Sequence, residues 1–288
     1  MAAEAAELRV ALISMRHEVG RLADNMDRME RWLDRAMKKR PGFVGFPEFS
    51  ITGWTYNDSE TLTLRAAALS RVDRWARERG VWIGAPFVER RKERLFNTTL
   101  VTGPNGRAGA MRKVNLVTGE AQRYTPGELF PVFEVAGCAL GVATCADATR
   151  FEMVHLLSLR GAEVVFAPHA SVLRPYGNSR RGFVKWRMER WPLFARDCCC
   201  FVAGVNSAGL SEQPCEEEEL SYCGGALVMD WRGRRVAALS GPGKREGMLV
   251  ATLDLAALRR AREEHTLSAE FRPAIVYNRR RGWRMGAG

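Results

Sequence analysis

Three side chains with complementary chemistry stand at the ends of three apolar runs. Cys145 closes the run Ala139-Leu140-Gly141-Val142-Ala143-Thr144 and is followed by Ala146-Asp147, then by Phe151-Glu152. Glu48 follows Gly45-Phe46-Pro47, where an apolar stretch from Phe43 meets a residue with no N–H to offer a sheet ladder, before a turn at Gly53. Lys113 lies in Met111-Arg112-Lys113-Val114-Asn115-Leu116, with Glu120 downstream and a turn at Thr125-Pro126-Gly127. A cysteine with an ordinary pKa of about 8.5 is mostly thiol at neutral pH. It attacks a carbonyl only if a base takes its proton and a cation stabilises the thiolate and the developing oxyanion, which a carboxylate and an ammonium can do. Taken singly, each residue has a duller role: a small buried hydrophobe, a solvated loop carboxylate, a basic surface.

Together the three segments resemble the nitrilase superfamily, the carbon-nitrogen hydrolases. The likeness runs from Val10-Ala11-Leu12 to Arg272-Pro273 and Tyr277. The acid motif matches Phe46-Pro47-Glu48, the lysine motif Arg112-Lys113-Val114-Asn115-Leu116, and the nucleophile motif Cys145-Ala146-Asp147 with Glu152 after it. The resemblance implies a catalytic triad of Glu48, Lys113 and Cys145, with Glu120 as a further carboxylate that positions the reacting groups. In that scheme Glu48 takes the thiol proton, gives it to departing ammonia or amine, and acts again as base when water hydrolyses the thioester. The Ala146 N–H is a second oxyanion donor, by analogy with donors just after a nucleophile.

Asp147 resembles the amidase and carbamoylase branches, since true nitrilases tend to have Glu there. The expected reaction is therefore hydrolysis of a non-peptide carbon-nitrogen bond in a small amide or N-carbamoyl compound, through a cysteine thioester, with release of ammonia. Nitrile hydrolysis to the acid by the same triad, and a non-catalytic binding scaffold, are the alternatives. The chain departs from the family at Phe151, where Pro is usual, and at Cys198, where Asn is frequent.

Specificity is expected from residues around the thiol. His169, after Pro168 at a strand end, is a candidate pocket residue or a structural histidine, and Trp54 a pocket wall or core filler. Arg150 and Arg174 could grip a substrate carboxylate. No metal and no cofactor are expected: there are four His in the chain and no paired C-x-x-C motif. Seven cysteines, an odd number, suit a reducing, cytoplasmic setting better than a disulfide framework. The net charge of +11 invites a nucleic-acid reading, but the arginines are scattered and interrupted by runs such as Glu216 to Glu219. The expected partners are a small-molecule substrate and further copies of the chain in a homodimer or larger homo-oligomer, with no nucleic acid. No apolar run approaches the roughly 20 residues that cross a bilayer, and the first ten residues carry no signal-like stretch, so no membrane partner is expected.

The elements that must place these residues alternate in period. Leu8 to Ile13 reads as a strand. Glu18 to Lys39 shows helical spacing, with Leu22, Met26, Met29 and Leu33 on one side before Pro41-Gly42. Phe43 to Phe46 is a strand, Ser59 to Arg79 a helix stopped by Gly80, and Val81 to Val88 a strand. Leu95 to Val101 and Ala108 to Lys113 form a hairpin around Pro104-Asn105-Gly106. Phe151 to Arg160 reads as a helix, Glu163 to Ala167 as a strand, Trp186 to Asp197 as one helix and Cys199 to Val205 as extended. Ala226 to Leu239 is a hairpin, and Met248 to Leu253 the last strand. The pattern itself points to sheets covered by helices. The resemblance narrows this to an α/β, four-layer α-β-β-α sandwich of two mixed sheets flanked by helices. Residues 1–288 are expected to form a single domain, with the tail of about 271–288 in subunit contacts.

Overall fold

A computed structural model describes residues 5–54, 59–173, 182–210, 221–240, 245–264, 275–278 and 282–285. The first half runs β1 (Glu7–Ser14), α1 (Leu22–Met37), β2 (Phe43–Gly45), α2 (Ser59–Arg79), β3 (Trp82–Arg91), β4 (Arg94–Gly103), β5 (Gly106–Arg112), α3 (Thr118–Ala121), β6 (Val132–Val135) and β7 (Cys138–Val142). Then come α4 (Phe151–Leu159), β8 (Val164–His169), β9 (Val172–Leu173), α5 (Gly182–Arg187), α6 (Trp191–Asp197), β10 (Phe201–Asn206), β11 (Ser221–Tyr222), β12 (Ala226–Met229), β13 (Arg235–Leu239), β14 (Gly247–Asp254), α7 (Leu255–Glu264), β15 (Ile275–Asn278) and β16 (Gly282–Met285).

Two six-stranded mixed sheets result, in the orders β14-β1-β2-β3-β4-β5 and β13-β12-β10-β8-β7-β6. Their apolar faces meet. Leu8, Val10, Leu12 and Phe43 of the first sheet share one buried cluster with Val142, Phe166, Ala203 and Leu227 of the second. The sheets come close because glycines stand opposite an aromatic ring. A Cβ at Gly84 would lie 2.8 Å from Phe166 Cε1 and 2.9 Å from Phe43 Cζ, and Gly45 faces the same ring.

The outer faces are covered by helices. The α1 stripe Leu22, Met26, Met29 and Leu33 is buried and joins Val72, Trp75 and Ala76 of α2 over the first sheet. On the second sheet, Gly141 faces Leu157 of α4 and Gly204 faces Trp191 of α6. This is the expected α-β-β-α sandwich.

Local differences have local causes. The segment read as one helix, Trp186 to Asp197, is two, because Pro192 suits only the first turn of α6 and forces a fresh start after Arg190. The chain does not extend from Cys199: that residue turns with φ of 46°, and β10 begins at Phe201. Met248 to Leu253 is not the last strand, since α7 follows β14 and β15 pairs antiparallel with β16.

Candidate active site

The acid, the ammonium and the second carboxylate come from the first sheet and its connections. Strand β2 stops at Gly45, and the chain turns through Pro47 so that Ser50 N–H donates to the Pro47 carbonyl. This turn carries Glu48 inward, where it is 1% exposed. Lys113 follows β5 directly, its N–H donating to the Asn97 carbonyl at 2.8 Å, and it is equally buried. Glu120 lies in α3, where it also accepts the Val117 N–H at 3.0 Å.

One ammonium joins the two carboxylates. Lys113 Nζ lies 2.9 Å from Glu48 Oε1 and 2.7 Å from Glu120 Oε2. Asn97 Nδ2 repeats the bridge, donating to Glu48 Oε1 at 2.7 Å and Glu120 Oε1 at 3.0 Å. The other Glu48 oxygen accepts the Ala170 N–H at 2.8 Å. Nothing in the motifs singled out Asn97. Its only signal was a lone amide in a strand whose residues from Leu95 to Thr102 are otherwise apolar residues and threonines.

The thiol comes from the second sheet. Cys145 follows β7, with φ of 50°, a left-handed conformation that costs a non-glycine residue about 1–3 kcal/mol. Its N–H donates to the Pro168 carbonyl at 2.9 Å, and the Asp147 N–H to the Thr144 carbonyl at 3.0 Å. The Ala146 N–H between them has no acceptor among the described residues, so it is free to meet a developing oxyanion. Asp147 ties thiol and lysine segments together: it accepts the Asn115 N–H at 2.7 Å and the Asn115 side-chain amide at 2.8 Å.

The charges in this cluster shift one another. Burial, helped by the Glu120 charge and opposed by Lys113, raises Glu48 above the usual carboxylate range. Burial alone would lower Lys113, but the charges of Glu48, Cys145 and Glu120 outweigh it and hold the ammonium well above its usual pKa. Burial and the Glu48 charge push the Cys145 thiol up to about 12, against the pull of Lys113 and Arg187. The resting sulfur is therefore a thiol, and it could act as a nucleophile only with loss of its proton.

The remaining sequence candidates fall in different places. Ala146 stays beside the thiol. His169 ends β8 fully buried, edge-on to Phe183 at 5.0 Å and Trp191 at 5.7 Å, so it packs rather than lining an open pocket. Trp54 is buried against Phe49, with ring centres 5.0 Å apart. Arg150 is exposed at the start of α4, and Arg174 lies outside the described residues. A different arginine, Arg187, is buried near the thiol. A groove of about 1030 Å³ runs over Phe96, Arg112 and Pro126 and is lined by none of Glu48, Lys113, Glu120 or Cys145.

Comparison with known proteins bears on the family and the fold. The sequence model of the family described as carbon-nitrogen hydrolase matches residues 9–263. A nitrilase of Pyrococcus abyssi is 26% identical over 262 residues, covering 88% of this chain and 93% of that protein. An omega-amidase of Xenopus tropicalis is 27% identical over 258 residues, covering 84% and 87%. In fold, the chain is similar to an amidase from Nesterenkonia sp. AN1 carrying the acetamide moiety of fluoroacetamide on its active-site cysteine. That likeness has a TM-score of 0.73, with 23% identity over 92% of this chain and 96% of the other.

Proposed function

Because the chain belongs to the carbon-nitrogen hydrolase family, enzymes of non-peptide C–N bonds, we propose that it hydrolyses a small amide or N-carbamoyl compound through a thioester on Cys145, releasing ammonia. The observation that carries this reading is the single ammonium of Lys113 shared by two buried carboxylates beside a thiol.

The steps follow from the charges. The Cys145 sulfur attacks the carbonyl carbon while its proton passes to Glu48, whose raised pKa suits it to hold that proton. The new oxyanion is met by the Lys113 ammonium and the Ala146 N–H. The C–N bond breaks as Glu48 returns its proton to the leaving nitrogen, and ammonia departs. Water then attacks the thioester, losing a proton to Glu48, and the departing sulfur recovers it. Glu120 keeps Lys113 in place and balances its charge.

Covalent addition of the acetamide moiety of fluoroacetamide at the cysteine of the Nesterenkonia amidase supports a nucleophilic role for Cys145. Nitrile hydrolysis by the same groups is the second reading, favoured by the likeness to the Pyrococcus nitrilase. A cytoplasmic setting is supported by the free thiols of Cys138, Cys145, Cys198, Cys199, Cys200 and Cys223. The match over residues 9–263 supports one domain over 1–288. A homodimer or larger homo-oligomer, with the tail of about 271–288 at the contact, is to be tested by light scattering before and after truncation.

An ammonium-release screen over aliphatic amides, N-carbamoyl amino acids and nitriles, with intact-mass detection of the acyl adduct, distinguishes the substrates. Cys145→Ala is expected to lower turnover on the order of 10⁴-fold or more while leaving the fold intact. A well-folded variant with unchanged turnover would refute the reading. An electrophilic acyl probe should label Cys145 and spare Cys199; no labelling would favour a binding scaffold.

A further inference from the structure

His17 lies between β1 and α1 and Ser207 directly after β10, so they come from opposite sheets, and they are 1% and 0% exposed. Their side chains meet, with His17 Nε2 2.9 Å from Ser207 Oγ. Ser207 Oγ in turn lies 3.3 Å from the Glu48 carbonyl and 3.2 Å from the His169 carbonyl. The His169 carbonyl belongs to the same peptide unit as the Ala170 N–H, which holds Glu48 Oε2 at 2.8 Å. One hydroxyl therefore reaches both ends of Glu48: its backbone directly, its carboxylate through a single peptide. The far side of the turn is held by the connection that carries His17 and by the helix after it. Asn25 Nδ2 donates to the Ile51 carbonyl at 3.2 Å, and a Cβ at Gly53 would lie 2.7 Å from the Val19 nitrogen.

A serine hydroxyl has one proton to give, and the two carbonyls and the imidazole all lie within its reach, so its direction depends on the ring. A His17 proton on Nδ1 would leave Nε2 to draw the hydroxyl proton away from both carbonyls. His17 Nδ1 has no hydrogen-bond partner among the described residues, and a buried N–H without an acceptor is less tolerable than a bare lone pair. The proton therefore sits on Nε2, which donates to Ser207 Oγ and leaves the hydroxyl proton for the carbonyls. Burial, then the Arg28 charge, lowers the His17 pKa to about 3 against the pull of the Glu48 backbone, so the ring is neutral and keeps this single N–H.

Building on the thiol-hydrolase reading, in which Glu48 is the base, we propose that His17 is a positioning residue: through the Ser207 hydroxyl it fixes Glu48 in the geometry that takes the thiol proton. It touches no reacting atom, and no proton travels along the chain from His17 to Glu48. Its part is to set the direction of one hydroxyl between the two sheets. A base misplaced by about an ångström loses on the order of 100-fold in rate, so a contact that fixes its backbone is felt at the sulfur.

The test reads the reactivity of Cys145 separately from turnover. Alkylation of Cys145 by 2-chloroacetamide, followed by peptide mass, draws on the base and needs no hydrolysis. His17→Leu and Ser207→Ala should each slow it on the order of tenfold, and the double variant no further, because both break one chain. His17→Gln, whose amide again offers an N–H to Ser207, should restore the rate to within about threefold of the unmodified protein. On an amide found by the ammonium screen, the slow variants should lower kcat and change KM by about twofold or less. Losses that add in the double variant, or His17→Gln as slow as His17→Leu, overturn the proposal, since packing alone would produce them. Should His17→Leu fail the thermal-melt control for folding, Ser207→Ala decides: alkylation at the unmodified rate there overturns it. The expected alkylation pattern without hydrolysis of any amide would sink the hydrolase reading alone. Amide hydrolysis with alkylation unchanged in Ser207→Ala would sink this proposal alone.

Discussion

Asn97 touches both carboxylates with one nitrogen, so its loss acts on the electrostatics of the site before it acts on the fold. Its hydrogen bond holds the Glu48 pKa down against burial. In the proposed mechanism Glu48 must be ionised to take the thiol proton, so that mechanism predicts activity falling as pH drops through its raised pKa. Removing the Asn97 amide raises that pKa further. Asn97→Ala is therefore expected to move the acid limb of the kcat/KM profile to higher pH and to lower kcat on the order of tenfold. A uniform loss at every pH would assign Asn97 a packing role only. Neither Asn97 nor Arg187 was legible in the sequence: a lone amide in a strand and one arginine among many carry no spacing signal. The aromatic residues Phe183, Trp186 and Trp191 around Arg187 were the available hint, since they surround a charge with surface that favours burial.

At the scale of elements, the strands that lead to Glu48, Lys113 and Cys145 were readable because apolar runs stop at Pro47, Lys113 and Cys145. Short or interrupted pieces were not. Strand β6 and helix α3 each span four residues, too short for a period to show, and the Pro192 break was hidden by continuous helical spacing on either side. The close approach of the sheets was equally invisible, because a glycine reveals its facing ring only in three dimensions. Gly84→Ala forces a methyl group against Phe166 and Phe43, two rings packed from opposite sheets. The expected destabilisation is about 1–3 kcal/mol by urea denaturation. An unchanged midpoint would mean that the gap between sheets widens freely.

Over the whole molecule, buried histidines set the response to acid. His17 is fully buried beside Ser207, with its Nε2 at 2.9 Å from Ser207 Oγ, and Ser207 Oγ also reaches the Glu48 carbonyl. Burial and then the Arg28 charge lower its pKa to about 3, and burial lowers His169 well below its ordinary value. The unfolded chain binds these protons near pH 6.5 and the folded chain does not, so stability is full above 6.5 and declines as pH falls. The slope is about 1.4 kcal/mol per pH unit for each histidine. Asp147, raised to about 6 by burial, has the opposite sign: the folded chain gains its proton first, which offsets one histidine below that pH. His17→Gln should flatten the decline between pH 6.5 and 5, read from urea denaturation at a series of pH values; an identical slope would mean that His17 charges in the folded state.

The same architecture divides the groups of the candidate site between two bodies: Glu48, Lys113 and Asn97 belong to one sheet and its connections, Cys145 and Arg187 to the other and its covering helices. Interdigitated rings, the Asp147 tether, the Ala170 N–H on Glu48 and the Ser14 hydroxyl on the Asn206 carbonyl are among the contacts that keep the halves aligned. A slip of one sheet along the other by an ångström would part the sulfur from its base while every strand stayed paired. Turnover should consequently fade at lower denaturant than circular dichroism does, making the enzyme a gauge of its own alignment.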